Sequence, residues 1–191
     1  MSIKSSQLSA VVVIGSALVL GGCGTDALGP DEAGSEDAAS LATQKQEVYS
    51  GWTALTSDEY PPINCDGGSL ISGIQCYGDH CDNMRIYCTP TAAVRSDSYW
   101  TPTFSEESYR DRRTCLDGYW VTGIACSGDD CDNVSLQCTY MSNITAKNCY
   151  WTGWMSEENG GYLSFGSGYY PRGAQCSGSY CDNLRYYVCQ P

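Results

Sequence analysis

The chain has 191 residues with 22 Asp and Glu against 10 Lys and Arg, giving a formal net charge of -12, and it carries 13 cysteines and a single histidine. A basic footprint that would release counterions from a phosphate backbone is missing, so nucleic acid is not expected as a partner. That many cysteines with 42% apolar and 12% aromatic residues exclude a disordered chain and point to a folded protein of an oxidising compartment.

Residues 1-22 open with Lys4, continue through an apolar run from Leu8 to Leu20, and end in Leu20-Gly21-Gly22-Cys23. The run is shorter than the roughly 20 residues needed to span a bilayer, so it reads as a signal peptide. The last four residues resemble the lipobox of bacterial lipoproteins, in which small residues precede the cysteine that is lipidated and becomes the mature N-terminus. The resemblance implies lipidation, including a palmitate-type acyl chain, at Cys23 and attachment to the bacterial cell envelope; with Gly24 in place of Asp, the outer membrane is favoured. More than one acyl chain meets the requirement for stable anchoring. Residues 23-47 contain no aromatic and carry Asp26, Asp31, Glu32, Glu36, Asp37 and Glu47 against Lys45, the composition of a self-repelling, extended tether.

From residue 48 the chain repeats itself. Cys76, Cys126 and Cys176 are 50 apart, as are Cys81, Cys131 and Cys181, and Gly73, Gly123, Gly173 and Asp82-Asn83, Asp132-Asn133, Asp182-Asn183 keep the same phase. Earlier in each copy Trp52-Thr53, Trp100-Thr101 and Trp151-Thr152 are followed by Ser57, Ser105 and Ser156 and by paired acids. Three repeats result, 48-95, 96-143 and 144-191. Met84, Ile86 and Cys88 alternate with Arg85 and Tyr87, and Val134, Leu136 and Cys138 with Ser135 and Gln137, the period of a strand with one buried face. A unit of about 48 residues buries too little apolar area to fold alone. The expectation is an all-β, disulfide-stapled domain of three tandem repeats sharing a core around a pseudo-threefold axis.

Without Cys23, 12 cysteines remain, and about ten thousand connectivities are open to them. The repeat phase selects Cys76 with Cys81, Cys126 with Cys131, Cys176 with Cys181, Cys65 with Cys88 and Cys115 with Cys138. In the third copy the place of the first cysteine falls near Phe165, which leaves Cys149 with Cys189.

The pattern Trp52, Ser57, Glu59, Cys65, Gly67, Gly73, Asp82, Asn83, Arg85, Ile86, Cys88 resembles the repeat of vitelline membrane outer layer proteins. The resemblance implies a β-prism of three Greek-key sheets, an extracellular setting and a carbohydrate-related role. The C-x4-C loop is not part of that family's repeat, and Ser135 stands where Arg85 and Arg185 keep the arginine.

For chemistry the sequence offers little. His80 lies in one small disulfide loop with no counterpart at Asp130 or Tyr180, which argues against a nucleophilic triad. The pairs Asp58-Glu59, Glu106-Glu107 and Glu157-Glu158 invite comparison with glycosidase carboxylates, yet neighbours in extended chain point to opposite faces, and triplication favours turn capping. No cofactor is expected. C-x4-C spacing in an exported chain reads as disulfide rather than zinc, and Asp129, Asp130 and Asp132 beside Asn133 form a weak calcium candidate against an Asx turn.

The aromatics carry the functional expectation. Trp52, Trp100 and Trp151 recur with the fold signature and are assigned to the core. The non-repeating Tyr60, Tyr109, Trp120, Trp154, Tyr169, Tyr170 and Tyr180 are the ligand-binding candidates, because Tyr and Trp present flat apolar faces with polar tips. The reading is a non-catalytic, membrane-tethered module for glycan or another cell-surface component. A structural or protective surface protein, or a polysaccharide-acting enzyme, are the alternatives.

Overall fold

The computed structural model describes residues 50-108 and 111-191, so Cys23, the signal segment, the tether and Tyr109 lie outside the described residues. Each repeat builds one long antiparallel hairpin where the alternating pattern stands: β3 (Ser69–Tyr77) with β4 (Asn83–Pro90), β7 (Tyr119–Ser127) with β8 (Asn133–Ser142), and β11 (Tyr170–Ser177) with β12 (Asn183–Gln190).

A strand from the Trp-Thr signature flanks the second member of each hairpin: β1 (Gly51–Trp52) on β4, β5 (Val94–Trp100) on β8, β9 (Lys147–Trp151) on β12. The threonine explains its own recurrence. Thr53, Thr101 and Thr152 each receive the backbone N–H of Ile86, Leu136 and Tyr186 on Oγ1, at 3.0 to 3.1 Å, and each returns its own N–H to the same residue's carbonyl at 2.9 Å.

The fourth strand comes from a different repeat. β2 (Ile63–Asn64) of the first repeat pairs with β7, β6 (Arg112–Thr114) of the second with β11, and β10 (Tyr162–Ser164) of the third with β3. The three four-stranded sheets are therefore β1-β4-β3-β10, β5-β8-β7-β2 and β9-β12-β11-β6, called first, second and third below. Each repeat lends an edge to its neighbour, so the repeat is a unit of sequence but not of sheet. The exchange is cyclic and closes a three-sided β-prism.

A bulge in every hairpin, at Ser72, Thr122 and Arg172, is followed by Gly73, Gly123 and Gly173. The bulge carbonyls accept the N–H of Phe165, Cys65 and Cys115 from the visiting strands. In the second and third sheets this approach requires glycine: a Cβ on Gly123 would stand 2.6 Å from the Ile63 carbonyl oxygen, and one on Gly173 2.5 Å from that of Arg113.

All six disulfides pair as the repeat phase predicts. Cys65 follows β2 in the second sheet and is bonded to Cys88 in the first; Cys115 follows β6 in the third sheet and is bonded to Cys138 in the second. These two bonds staple two of the prism's three edges. At the third edge Phe165 follows β10 and packs on Tyr186, ring centroids 5.4 Å apart, while Cys149–Cys189 stays within the third sheet. Loop entropy assigns roughly 3.5 kcal/mol to each inter-sheet staple and roughly 2 kcal/mol to each C-x4-C loop.

The inward faces meet in one core that includes Ile74, Ile124 and Ala174, with Ile86, Leu136 and Tyr186 beside them. The third repeat exchanges volume, a small Ala174 for a large Tyr186, which conserves packing. Its cost is a buried Tyr186 hydroxyl with no hydrogen-bond partner among the described residues.

Candidate functional site

One end of the prism is built from the three disulfide turns, Asp79–Cys81, Asp129–Cys131 and Ser179–Cys181, which touch one another. Each turn holds two consecutive residues at positive φ, such as Tyr180 and Cys181. Asp82, Asp132 and Asp182 each accept the side-chain amide of the following Asn, a side-chain bond in place of the backbone bond of an Asx turn. The paired acids find their role here. Both oxygens of Glu106 take backbone N–H groups of the next repeat's turn, from Tyr180 at 2.7 Å and Cys181 at 3.2 Å, and Glu157 reaches within 3.6 Å of the Cys81 sulfur. Asp58, shorter by a methylene, stays exposed.

His80 packs its ring 5.1 Å from Tyr180 in this cluster. Glu106 with Cys176 and Cys181 is the group of ligand-type atoms that the described residues gather within 4.8 Å. Its two sulfurs are bonded to each other, so the carboxylate acts as a cap. Of the calcium candidates, Asp132 is engaged with Asn133, Asp129 is exposed and Asp130 is half-buried.

The aromatic assignments divide differently from expectation. Trp120 is 1% exposed and belongs to a small core cluster with Leu70, Ala93, Met141 and Cys189. Leu70, Trp120 and Tyr170 occupy one position at a spacing of 50 and lie toward the end of the prism opposite the disulfide turns, so Trp120 is buried as part of the core and not placed on an exposed surface. Tyr170 is half-buried against Trp120, and burial raises its phenol above the ordinary value. Tyr169 packs on Tyr150. Tyr60 is exposed in a loop and Tyr180 in a disulfide turn. Among the six that are described, only Trp154 joins a larger arrangement, and no two of them are brought together as a shared surface except in the Trp120–Tyr170 contact.

That arrangement involves the tryptophans first assigned to the core. Trp52, Trp100 and Trp151 are intermediate to exposed and stand on the outer faces of the sheets. Each lies on an edge strand, next to a threonine whose backbone and hydroxyl bond the neighbouring strand. In the third sheet, Trp151, Tyr187, Gly173 and Thr114 form one row across the strands, and Arg185, Gln175 and Arg112 the next. Trp151 and Tyr187 are in ring contact at 5.4 Å. The Arg185 guanidinium lies 5.2 Å from the Trp151 centroid and 4.5 Å from that of Trp154, a cation–π sandwich. Arg185 is held by two bonds to Gln175 Oε1 at 2.7 and 2.9 Å, and Gln175 donates to Asp111 at 2.6 Å. Arg112, Arg113, Thr114, Trp151 and Tyr187 line a cleft of about 530 Å³, within the usual size range of ligand sites.

The first sheet repeats the set as Trp52, Tyr87, Gly73, Arg85 and Gln75, with Arg85 4.7 Å from Trp52 and 5.2 Å from Tyr77. There Tyr162 of the visiting strand packs on Trp52 and overlies Gly73. The second sheet has Trp100, Gln137, Gly123, Ala125 and Ser135 at these positions and lacks both the arginine and the second ring. Its tyrosines Tyr99, Tyr119 and Tyr140 form a separate ladder whose tips are engaged: Tyr99 receives the N–H of Leu116, and Tyr119 donates to Asp97. That bond lowers the Asp97 carboxyl and raises the Tyr119 phenol.

The fold defines a three-sided, disulfide-stapled β-prism with two aromatic–arginine faces. No protein-family model, no curated protein and no solved structure matches the chain.

Proposed function

We propose that this chain is a non-catalytic binding module of the extracytoplasmic surface, tethered through lipidated Cys23 and directed at glycan. The observation that carries the reading is the third sheet's outer face, where Trp151 and Tyr187 line an open cleft with Arg112 and where Trp154 stacks on the neighbouring Arg185. Sugar rings offer C–H faces to such rings and hydroxyls to such amides and guanidinium groups. Six disulfides in the folded part agree with an oxidising, extracytoplasmic setting. The lipobox-like Leu20 to Cys23 supports attachment to a bacterial membrane, and Gly24 supports the outer one. The prism's three repeats support a distant kinship with the vitelline membrane outer layer repeat.

A glycan-array screen of the oxidised chain tests the binding. Saturable binding that Trp151→Ala removes is the expected result; silence from folded protein would favour a protective surface protein without a small ligand. Lipidation is tested separately by the acyl mass on the mature N-terminal cysteine, which Cys23→Ser abolishes.

A further inference from the structure

Charge is unevenly distributed over the prism. The strands of the third sheet carry Arg112, Arg113, Lys147, Arg172 and Arg185 and not one Asp or Glu. The strands of the first carry Arg85 alone, and those of the second balance Arg95 against Asp97. In a chain of net charge -12, the strands of one sheet hold five cations and no acid.

Within that face the cations are not equivalent. Arg172 donates to the carbonyls of Tyr119 and Leu116 and lies 3.5 Å from Asp117, and Arg113 donates to the carbonyls of Arg112 and Thr103. Arg185 is sandwiched between two tryptophans and bonded to Gln175. Arg112 is exposed, and its guanidinium has no hydrogen-bond or ion-pair partner among the described residues. It lines the cleft together with Thr114, Trp151 and Tyr187. Tyr162 holds the corresponding position in the first sheet, where its ring covers Gly73. In the second sheet that position, the one before Ile63, is Pro62. Among the described residues, the third sheet is the one where an arginine without a partner shares a cleft with the signature tryptophan and the tyrosine beside it. The nearest carboxylate in the network, Asp111, is turned to the Gln175 amide.

We infer that this cleft takes an acidic sugar, a pyranose bearing carboxylate or sulfate within a polymer, with its ring on Trp151 and Tyr187 and its anionic group on Arg112. The inference rests on the glycan reading above and adds the ligand's chemical class. A guanidinium fork matches carboxylate and sulfate geometry and gives the strong class of charge-assisted hydrogen bonds. Because the chain as a whole is acidic, indiscriminate attraction of polyanions is disfavoured, and recognition has to come from the local fit of ring and guanidinium.

The test titrates the full, oxidised chain against immobilised polygalacturonate, dextran sulfate, neutral dextran and single-stranded DNA. The expected result is saturable binding to polygalacturonate or to dextran sulfate, the two arms telling carboxylate from sulfate. Arg112→Gln and Trp151→Ala should each weaken it roughly tenfold or more, Trp100→Ala should leave it unchanged, and DNA should not compete. Arg112→Gln breaks no contact of the fold, so its readout does not depend on refolding. Near-UV circular dichroism checks Trp151→Ala, and Tyr187→Ser is a second variant of the same wall. If a neutral glycan binds, Trp151→Ala removes it and Arg112→Gln does not, the acidic class is overturned and the glycan reading stands. If nothing binds, if Trp151→Ala is inert, or if DNA binds as tightly as the sugars, both fall.

Discussion

The second and third sheets have the same strand order, the same bulge and the same glycine, yet their outer faces share little. Inward, Ile124 and Leu136 answer to Ala174 and Tyr186, both pairs buried in one core. Outward, Gln137, Ser135 and Ala125 answer to Tyr187, Arg185 and Gln175. The inward positions are constrained as a sum of volumes around the axis, so they co-vary in size and stay apolar. The outward ones are constrained only by strand propensity and solvent, so a repeat that gains a ring and a guanidinium there gains a surface without disturbing the prism. Triplication of the fold thus comes with two aromatic–arginine faces, and only one of them is open.

That contrast can be broken at several points. The largest effect is expected inside: Trp120→Ala should cost about 3–5 kcal/mol, the range for emptying a large core side chain, whereas Trp100→Ala and Trp154→Ala on the surface should each cost under about 1 kcal/mol. Chemical denaturation under non-reducing conditions measures both. Next come the glycines that admit the visiting strands. Gly173→Ala forces a Cβ to 2.5 Å from a backbone oxygen, while Gly73→Ala meets nothing closer than 3.4 Å. The first should lose about 2–3 kcal/mol and the second less than about 1 kcal/mol, and equal losses would show that the exchange strands do not approach as described.

Smaller changes sharpen the account. Tyr186→Phe removes a buried hydroxyl without a partner and should be neutral or stabilising by about 1 kcal/mol. Burial holds the Tyr186 phenol far above its ordinary value. The sign follows: the neutral form is favoured in the folded state, so this residue's contribution is complete below the unfolded tyrosine range near 10 and is lost as the pH climbs above it. In Tyr186→Phe that alkaline loss should shrink, as read by unfolding midpoints between about pH 8 and 11. Finally, Ser135→Arg with Ala125→Gln and Gln137→Tyr would write the third sheet's set onto the second; stability should change by no more than about 0.5 kcal/mol while a second aromatic–arginine face appears.

The repeat phase made the disulfides legible, including Cys149 with Cys189, and placed Phe165 where the third copy lacks its cysteine. The strand exchange was not legible, because alternation along a strand reports which face is buried but not which neighbour completes the sheet. The placement of four tryptophans between core and surface was misread for a related reason. Trp120 looked solitary as a tryptophan, although Leu70 and Tyr170 at the same phase mark an apolar position. Trp52, Trp100 and Trp151 looked structural because they recur, although what the fold requires is the threonine beside them. The arrangement of Arg185 between Trp151 and Trp154 joins strands β12 and β9 with the loop beyond, and a linear reading does not show that proximity.

The central claim is that ligand recognition resides on the third sheet's outer face and not on the second's. The most direct measurement compares Trp151→Ala with Trp100→Ala, two signature tryptophans at equivalent positions, for affinity toward the same array-selected glycan. The account predicts that Trp151→Ala loses binding by roughly tenfold or more and Trp100→Ala keeps it; equal affinities, or a loss at Trp100 alone, would contradict it.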